Sequence, residues 1–256
     1  MQLTDNTILI TGSTSGIGRG LAEAFHKLGN KVIISGRRQS LLDEITAANL
    51  GMESVCFDVT DPASIEAAAQ EVISRFPKLN VLFNNAGIMP FDDPSVAMDD
   101  AISQAIVTTN FLGPIRMTSA LIEQLKSQPR SVIVNTTSVL AYVPLAGNAV
   151  YSALKAALHS YTMSQRFMLR DTSVRVQEIA PPWVDTDLIA KLGDPRAMPL
   201  DAFIAETMEK LATDDEEIVV DAIKAVRANP GVNEHAMFNA FNADMIENPI
   251  PLSKAA

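Results

Sequence analysis

Tyr151 and Lys155 stand four residues apart in Tyr151-Ser152-Ala153-Leu154-Lys155, and Ser138 lies upstream, just past the apolar run Val132-Ile133-Val134. On a helix, a spacing of four puts the phenol and the ammonium on one face. A free phenol titrates near pH ~10, too high to exchange protons readily at neutrality. A neighbouring positive charge favours the phenolate and lowers that value. A hydroxyl on an adjacent strand would hold a carbonyl oxygen beside the phenol. Residues of these types at this spacing suit carbonyl–alcohol interconversion, which needs a second site on the chain for a hydride donor.

The segment Thr11-Gly12-Ser13-Thr14-Ser15-Gly16-Ile17-Gly18 is the candidate for that site. It joins the first predicted strand to the first predicted helix. Glycines there permit a tight turn and close approach by a pyrophosphate, and a helix N-terminus offers free N–H groups and positive potential. Two look-alikes fail. A hydrolase nucleophile elbow needs serine at the centre of Gly12–Gly16, where Thr14 stands, and no Gly-Lys-Ser/Thr follows as in a P-loop. The second predicted strand ends in Ser35-Gly36-Arg37-Arg38. An acidic residue at that place would bind the adenosine ribose of NAD. Two guanidinium groups suit a 2′-phosphate instead. The sequence therefore predicts NADP(H) as the preferred cofactor, with Arg37 the first contact and Arg38 assisting, and NAD(H) as the second choice.

Short apolar strands alternate with helical periodicity from the N-terminus. Strands are predicted at 7–11, 31–35, 53–57, 81–84, 131–135 and 174–179, and helices at 17–28, 40–49, 62–76, 98–126 and 148–170. Asp61 is the expected N-cap of the third helix, with Pro62 at its first position. Gly113-Pro114 predicts a bend in the long helix. Past Pro181, helices are expected at 187–192, 199–212 and 217–227, a last strand at 236–241, and a substrate flap at about 186–213. Repeated β-α units imply an α/β fold with a parallel sheet and helices on both faces. No linker or repeat marks a second domain, so 1–256 is read as one nucleotide-binding domain.

These motifs together resemble the compact branch of the short-chain dehydrogenase/reductase family. The resemblance covers nearly the whole chain. It implies a Rossmann-like doubly wound sheet of seven mainly parallel strands in the order 3-2-1-4-5-6-7. In the glycine turn Gly12, Gly16 and Gly18 match the family's spacing, and Ser13, Ser15 and Ile17 fall among the implied cofactor contacts. Asp58 and Val59 match the adenine contact, and Asn84-Asn85-Ala86-Gly87 matches the strand-four motif, with Asn85, Ala86 and Gly87 bordering the cofactor. Asn110, Ser138, Tyr151 and Lys155 match the catalytic tetrad. The implied roles are Tyr151 as general acid/base and Lys155 lowering its pKa and binding the nicotinamide ribose. Ser138 would orient the carbonyl, and Asn110 would hold a proton-relaying water. Pro181, Val184 and Thr186 match the loop beneath the nicotinamide, Thr186 at the carboxamide. Here the chain departs from the family's Pro-Gly: Pro182 has no N–H and a fixed φ. The segment Pro181-Pro182-Trp183-Val184-Asp185-Thr186 is similar to a bacterial subgroup of oxidoreductases encoded near D-alanyl-teichoic acid genes. The resemblance also implies a homodimer or homotetramer formed through the helices bearing Asn110 and Tyr151.

Composition narrows the partners. A formal net charge of −10 argues against nucleic acid and anionic membranes, and no apolar run is long enough to span a bilayer. With no secretory signal pattern, a cytoplasmic enzyme is expected. Cys56, the single cysteine, lies between Val55 and Phe57 and is expected to be an inert core thiol. His26, His159 and His235 lack a common ligand spacing, so no metal is expected, and His159 is read as a packing residue. The acidic run Asp214-Asp215-Glu216-Glu217 is read as a helix start. Trp183 either packs in the core or walls the substrate pocket. Met89, Leu140, Tyr142 and Ile189 are further pocket candidates, which would favour an apolar small-molecule carbonyl or alcohol. A non-enzymatic module that senses NADP(H) through the same fold is the alternative. A hydrolase lacks both its serine motif and a histidine partner.

Overall fold

Every predicted strand up to residue 179 forms, and together they build one sheet. Residues 1–189, 193–228 and 234–249 are described in the structure, a computed structural model. Strands β1 (Thr7–Ile10), β2 (Lys31–Gly36), β3 (Glu53–Cys56), β4 (Val81–Asn84), β5 (Ser131–Thr136), β6 (Val174–Ile179) and β7 (Glu217–Ile218) pair in the order β3-β2-β1-β4-β5-β6-β7. Every pairing is parallel. The helices are α1 (Gly16–Lys27), α2 (Gln39–Ala48), α3 (Pro62–Arg75), α4 (Asp100–Val107), α5 (Gly113–Ser127), α6 (Ala149–Leu169), α7 (Leu200–Leu211), α8 (Lys224–Arg227) and α9 (Glu234–Glu247).

Strand alternation explains the layers. Ile8, Ile10, Val32, Ile34, Phe83 and Val134 project to one face and pack with Leu21 and Phe25 of α1 and Phe203 and Leu211 of α7. Leu9, Ile33, Leu82 and Ile133 project to the other face, against Val72 of α3 and Leu121 and Leu125 of α5. A sheet covered on both faces needs the continuous apolar strands that the sequence shows. The strand order reverses between β1 and β4, and the chains leaving the C-terminal ends of those strands diverge to open a crevice. The Asp61 carboxylate caps α3 by accepting from the Ala63 N–H at 3.0 Å, with Pro62 in the first turn as expected.

Several elements differ from the sequence expectation. The long helix does not simply bend at Gly113-Pro114. A π-helical stretch, Thr108–Leu112, separates α4 from α5, and the Gly113 N–H reaches the Thr108 carbonyl. Pro114 has no N–H to give the Asn110 carbonyl in the α-helical pattern, which favours the wider turn. Residues 217–227 are not one helix. The β-branched run Ile218-Val219-Val220 favours extended backbone, so Glu217–Ile218 becomes the seventh strand, and a 3₁₀ turn (Asp221–Ile223) and α8 follow. Residues 236–241 are helical, inside α9, where Phe241 and Met245 share a face at a spacing of four. Cys56 ends edge strand β3 and is exposed, not buried. The helix expected at 187–192 is a 3₁₀ turn over Asp187–Ile189, and residues 190–192 lie outside the described residues. Within the stretch expected as a flap, Thr186–Ile189 border the crevice, while α7 packs against α1, with Phe203 fully buried. Among the described residues no helix is long and apolar enough to cross a membrane.

The burial of Phe203 makes α7 part of the core. Phe203→Ala is expected to lower unfolding stability by about 3–5 kcal/mol, measured by urea denaturation. A loss under about 1 kcal/mol would place α7 outside the cooperative core.

Candidate active site

The crevice is one continuous cleft of about 1130 Å³, running from Arg37 and Arg38 to Phe241 and Met245. Its nucleotide end is built from close backbone approach. Gly12 has φ +63°, and a Cβ there would lie 2.6 Å from the Ala86 Cα. A Cβ on Gly18 would lie 2.4 Å from Asn85 Nδ2. The Thr11 hydroxyl oxygen accepts from the N–H groups of Asn85 and Ala86 at 3.0 and 3.1 Å, and Asn85 Nδ2 donates to the carbonyls of Thr11 and Gly12, both at 3.1 Å. The loops after β1 and β4 are thus locked together, and the N-terminus of α1 opens on the cleft between them. Ser15 stands at its N-cap without making a side-chain capping bond.

Gly12, Ser15, Gly16, Ile17, Gly18, Arg37, Arg38, Asp58, Val59, Asn85, Ala86, Gly87, Pro181, Val184 and Thr186 all line this cleft. Ser13 does not. Its N–H is bound to the Ser35 carbonyl at 2.9 Å and its hydroxyl donates to the Ile10 carbonyl at 2.8 Å, so it ties β1 to β2 instead of facing a cofactor. Thr14, which the sequence reading passed over, lines the cleft and accepts from Arg38 Nη2 at 3.2 Å. Arg37 Nη1 lies 3.9 Å from the Asp58 carboxylate, and two-thirds of the Arg37 side chain is exposed. A glycine-lined cradle and a helix N-terminus together suit the pyrophosphate of a dinucleotide.

At the other end, α6 packs on β6 and on the turn that follows β5, and brings three predicted residues together. Tyr151, Lys155 and Ser138 are all buried and line the cleft. Ser138 leaves β5 extended and accepts from the Leu140 N–H at 3.1 Å. The Lys155 ammonium donates to the Thr136 carbonyl at 2.7 Å and sits 5.4 Å from the Tyr151 ring centre. Asn110, in the π turn, is buried behind this wall. Its Oδ1 accepts from the Ile88 N–H at 2.9 Å and its Nδ2 donates to the Ile88 carbonyl at 2.8 Å.

The electrostatics differ from the sequence expectation in one respect. Burial pushes the Tyr151 phenol up to about 12, and only the Ser138 hydroxyl pulls it back. The lowering expected from Lys155 does not appear: burial is the main cause of the shift, and the ammonium is directed at the Thr136 carbonyl oxygen. A phenol so placed keeps its proton at neutral pH, which suits a proton donor. Burial lowers Lys155 to about 8, partly countered by the negative charge of Glu178.

Other contributors are not marked in sequence. The Asp92 carboxylate accepts from the N–H groups of Ala149 and Val150 at 2.7 and 2.9 Å, fixing the start of α6 from a distant loop. Asn135 Nδ2 donates to Thr162 Oγ1 at 2.9 Å and Gln165 Oε1 at 3.0 Å, fixing its middle. Phe241 and Met245 of α9 pack on the cluster of Leu140, Leu145 and Tyr151 and close the far end. Their spacing of four was the available signal. Trp183 lines the cleft, with the Arg196 guanidinium 5.0 Å from its ring centre. His159 bonds the buried carboxylate of Glu178, so it is more than packing. Ligand atoms of His159, Glu178 and Glu217 lie within 4.8 Å of one another, and Arg227 takes Glu217 in a two-point ion pair, so protein groups supply the positive charge there.

A family model described as short chain dehydrogenase matches residues 6–197. The uncharacterized oxidoreductase DltE of Bacillus subtilis is 36% identical over 248 residues, covering 94% of this chain and 98% of that one. A short chain dehydrogenase from Burkholderia cenocepacia, solved with NADP, superposes with a TM-score of 0.80 at 26% identity, over 96% of this chain and 99% of that one. A short chain dehydrogenase/reductase from Burkholderia phymatum, solved with NAD, has a TM-score of 0.78 at 22% identity over 100% and 99% of the two chains, a likeness of fold. With the match spanning the glycine turn, Ser138, Tyr151 and Lys155, the chain belongs to the short-chain dehydrogenase/reductase family of oxidoreductases.

Proposed function

We propose that this protein is an NADP(H)-preferring reductase of a neutral, largely apolar ketone or aldehyde, with the reverse oxidation available to the same residues. One observation carries the reading: Tyr151, Ser138 and Lys155 converge at one end of a cleft whose other end holds the glycine turn and Arg37 and Arg38. The bound nicotinamide supplies the hydride. The protein positions the reactants and manages the proton. Ser138 donates a hydrogen bond to the substrate carbonyl, and Tyr151 gives its proton to the same oxygen as the alcohol forms. Lys155 holds the nicotinamide ribose and, as an ammonium, stabilises the phenolate left behind. Asn110, anchored on Ile88, supports the return of a proton toward Lys155.

The NADP(H) preference rests on the end of β2, where Gly36 is followed by two arginines and no carboxylate stands at the strand terminus. The substrate class rests on the walls beside Tyr151, which are formed by Met89, Leu140, Leu145, Trp183, Phe241 and Met245. Among the described lining residues at this end, Asp187 is the one charged side chain besides Lys155, which disfavours an anionic substrate. A homodimer or homotetramer in the cytoplasm completes the proposal. Met163, Phe167 and Met168 on α6 are exposed, as a helix that meets a second copy would have them.

Three outcomes are expected. Tyr151→Phe removes most turnover of a carbonyl panel while leaving NADPH affinity largely intact, and retained turnover would refute Tyr151 as the acid. Arg37→Ala weakens NADPH roughly ten- to hundredfold, the loss of one charge-assisted contact, and leaves NADH nearly unchanged in parallel fluorescence titrations. Equal losses would defeat the 2′-phosphate assignment. Saturating NADPH strongly quenches the emission of Trp183, the only tryptophan; unchanged emission would remove the indole from the nicotinamide's surroundings.

A further inference from the structure

A charged cluster lies behind the Tyr151 wall, and hydride transfer as described makes no use of it. At its centre is Glu178 of β6, which is fully buried. The Thr137 hydroxyl donates to Glu178 Oε1, His159 Nδ1 lies 2.8 and 3.0 Å from its two oxygens, and the Tyr142 hydroxyl reaches Oε1 at 3.5 Å. Burying a carboxylate is unfavourable unless partners meet its lone pairs and an opposite charge lies near.

The charged groups around it are few. Glu217, its register partner on β7, adds a second acid at its side. Arg227 of α8 balances that acid, with Nε and Nη2 donating to Glu217 at 2.6 and 3.0 Å, and lies 4.9 Å from the Tyr142 ring centre. Arg166, lower on α6, donates to the Val176 and Glu216 carbonyls at 3.0 and 3.1 Å. Glu178 itself bonds two hydroxyls and an imidazole, and its charge acts on Arg227 and on Lys155. Tyr151, Lys155 and His159 follow at steps of four and share one stripe of α6. Glu178 meets the stripe at His159, and Thr137, its other partner, directly follows Thr136, whose carbonyl holds the Lys155 ammonium.

We propose that Glu178 is a positioning residue for Lys155: its carboxylate, fixed by Thr137 and His159 beside the strand that holds the ammonium, supplies the negative charge that keeps the lysine cationic inside the cleft. The bond to Glu178 is the main cause that raises His159 above its ordinary titration range, against the effect of its own burial. Above that titration the pair presents a full negative charge toward Lys155. Below it the ring proton cancels that charge. The support therefore acts on the alkaline side, where the ammonium is lost as pH rises through about 8.

The test is a pH titration of full-length protein carrying ¹³Cε-lysine, followed by NMR, with the Lys155 signal assigned by its absence in Lys155→Met. The wild-type midpoint is expected near pH 8. Glu178→Gln keeps the shape and removes the charge, and is expected to lower the midpoint by about one unit, a tenfold change in the ammonium-to-amine ratio. His159→Gln keeps the carboxylate, so its midpoint is expected to stay above that of Glu178→Gln. An unchanged midpoint in a folded Glu178→Gln protein overturns the proposal. Should that variant not fold, ¹³Cδ-glutamate NMR of the wild type decides: an ionised Glu178 at neutral pH supports the proposal, and a protonated one overturns it. The functional value of the charge rests on the proposed reductase chemistry, but the NMR midpoints do not. Absence of turnover with every carbonyl would sink that chemistry and leave the Lys155 result standing.

Discussion

An ammonium group withdrawn from water must be resolvated by the protein, and in this chain that requirement falls on Lys155. The Thr136 carbonyl accepts from it directly, and Glu178 supplies negative potential from the next strand. Neither arrangement tolerates much sliding of α6 along the sheet, because a shift of one residue would rotate the lysine off its stripe. The helix is accordingly held at three heights. Asp92 binds the N–H groups of its first turn, Lys155 itself grips β5, and Asn135 binds Thr162 and Gln165 two turns on. Asn135 also accepts from Asn84 Nδ2, which donates to Thr118 of α5, so a buried polar line runs from α5 through β4 and β5 to α6. Hydrogen bonds inside an apolar sheet specify register more sharply than packing does, since a slipped alternative would leave several polar groups unpaired.

The opposite end of the cleft depends on bare backbone. There the constraint is room: β1 and β4 loops approach so closely that Gly12 and Gly18 cannot carry a side chain, and Thr11 and Asn85 bond across the gap that remains. The two ends therefore use different physics. One is a steric cradle open to phosphates, and the other is a desolvated electrostatic site. The C-terminal side of one sheet holds both in one frame, because the segment after β4 carries residues of the first and the end of β5 residues of the second.

Much of this was legible in the sequence. Alternating apolar strands, the glycine turn and the spacing of Tyr151 and Lys155 read directly onto β1 to β6, α1 and α6, since each signal is local and periodic. The failures also follow from local reading. The acids before Glu217 suggested a helix start, but the β-branched residues after it set the backbone. Val55 and Phe57 suggested a buried Cys56, but a strand's place at the sheet edge is a tertiary fact. Ser13 was assigned by its neighbours in the glycine turn, yet its side chain points the other way. The pairing of His159 with Glu178 and of Asp92 with the α6 terminus links residues far apart in the chain, and no period in the sequence encodes a partner. The direction of the Tyr151 shift was missed for a related reason: charge proximity is visible in a spacing of four, whereas the extent of desolvation is set by everything packed around it.

The placement of α9 has a broader implication. This helix adds no strand to the sheet, and its Asn242 holds it by accepting from the Ala146 N–H and donating to the Pro144 carbonyl. Phe241 and Met245 project from it against the cluster of Leu140, Leu145 and Tyr151. On the proposed function, the part of the chain that would touch substrate is thereby separable from the nucleotide cradle, so substitutions on α9 would reshape the far end of the cleft without disturbing the glycine turn.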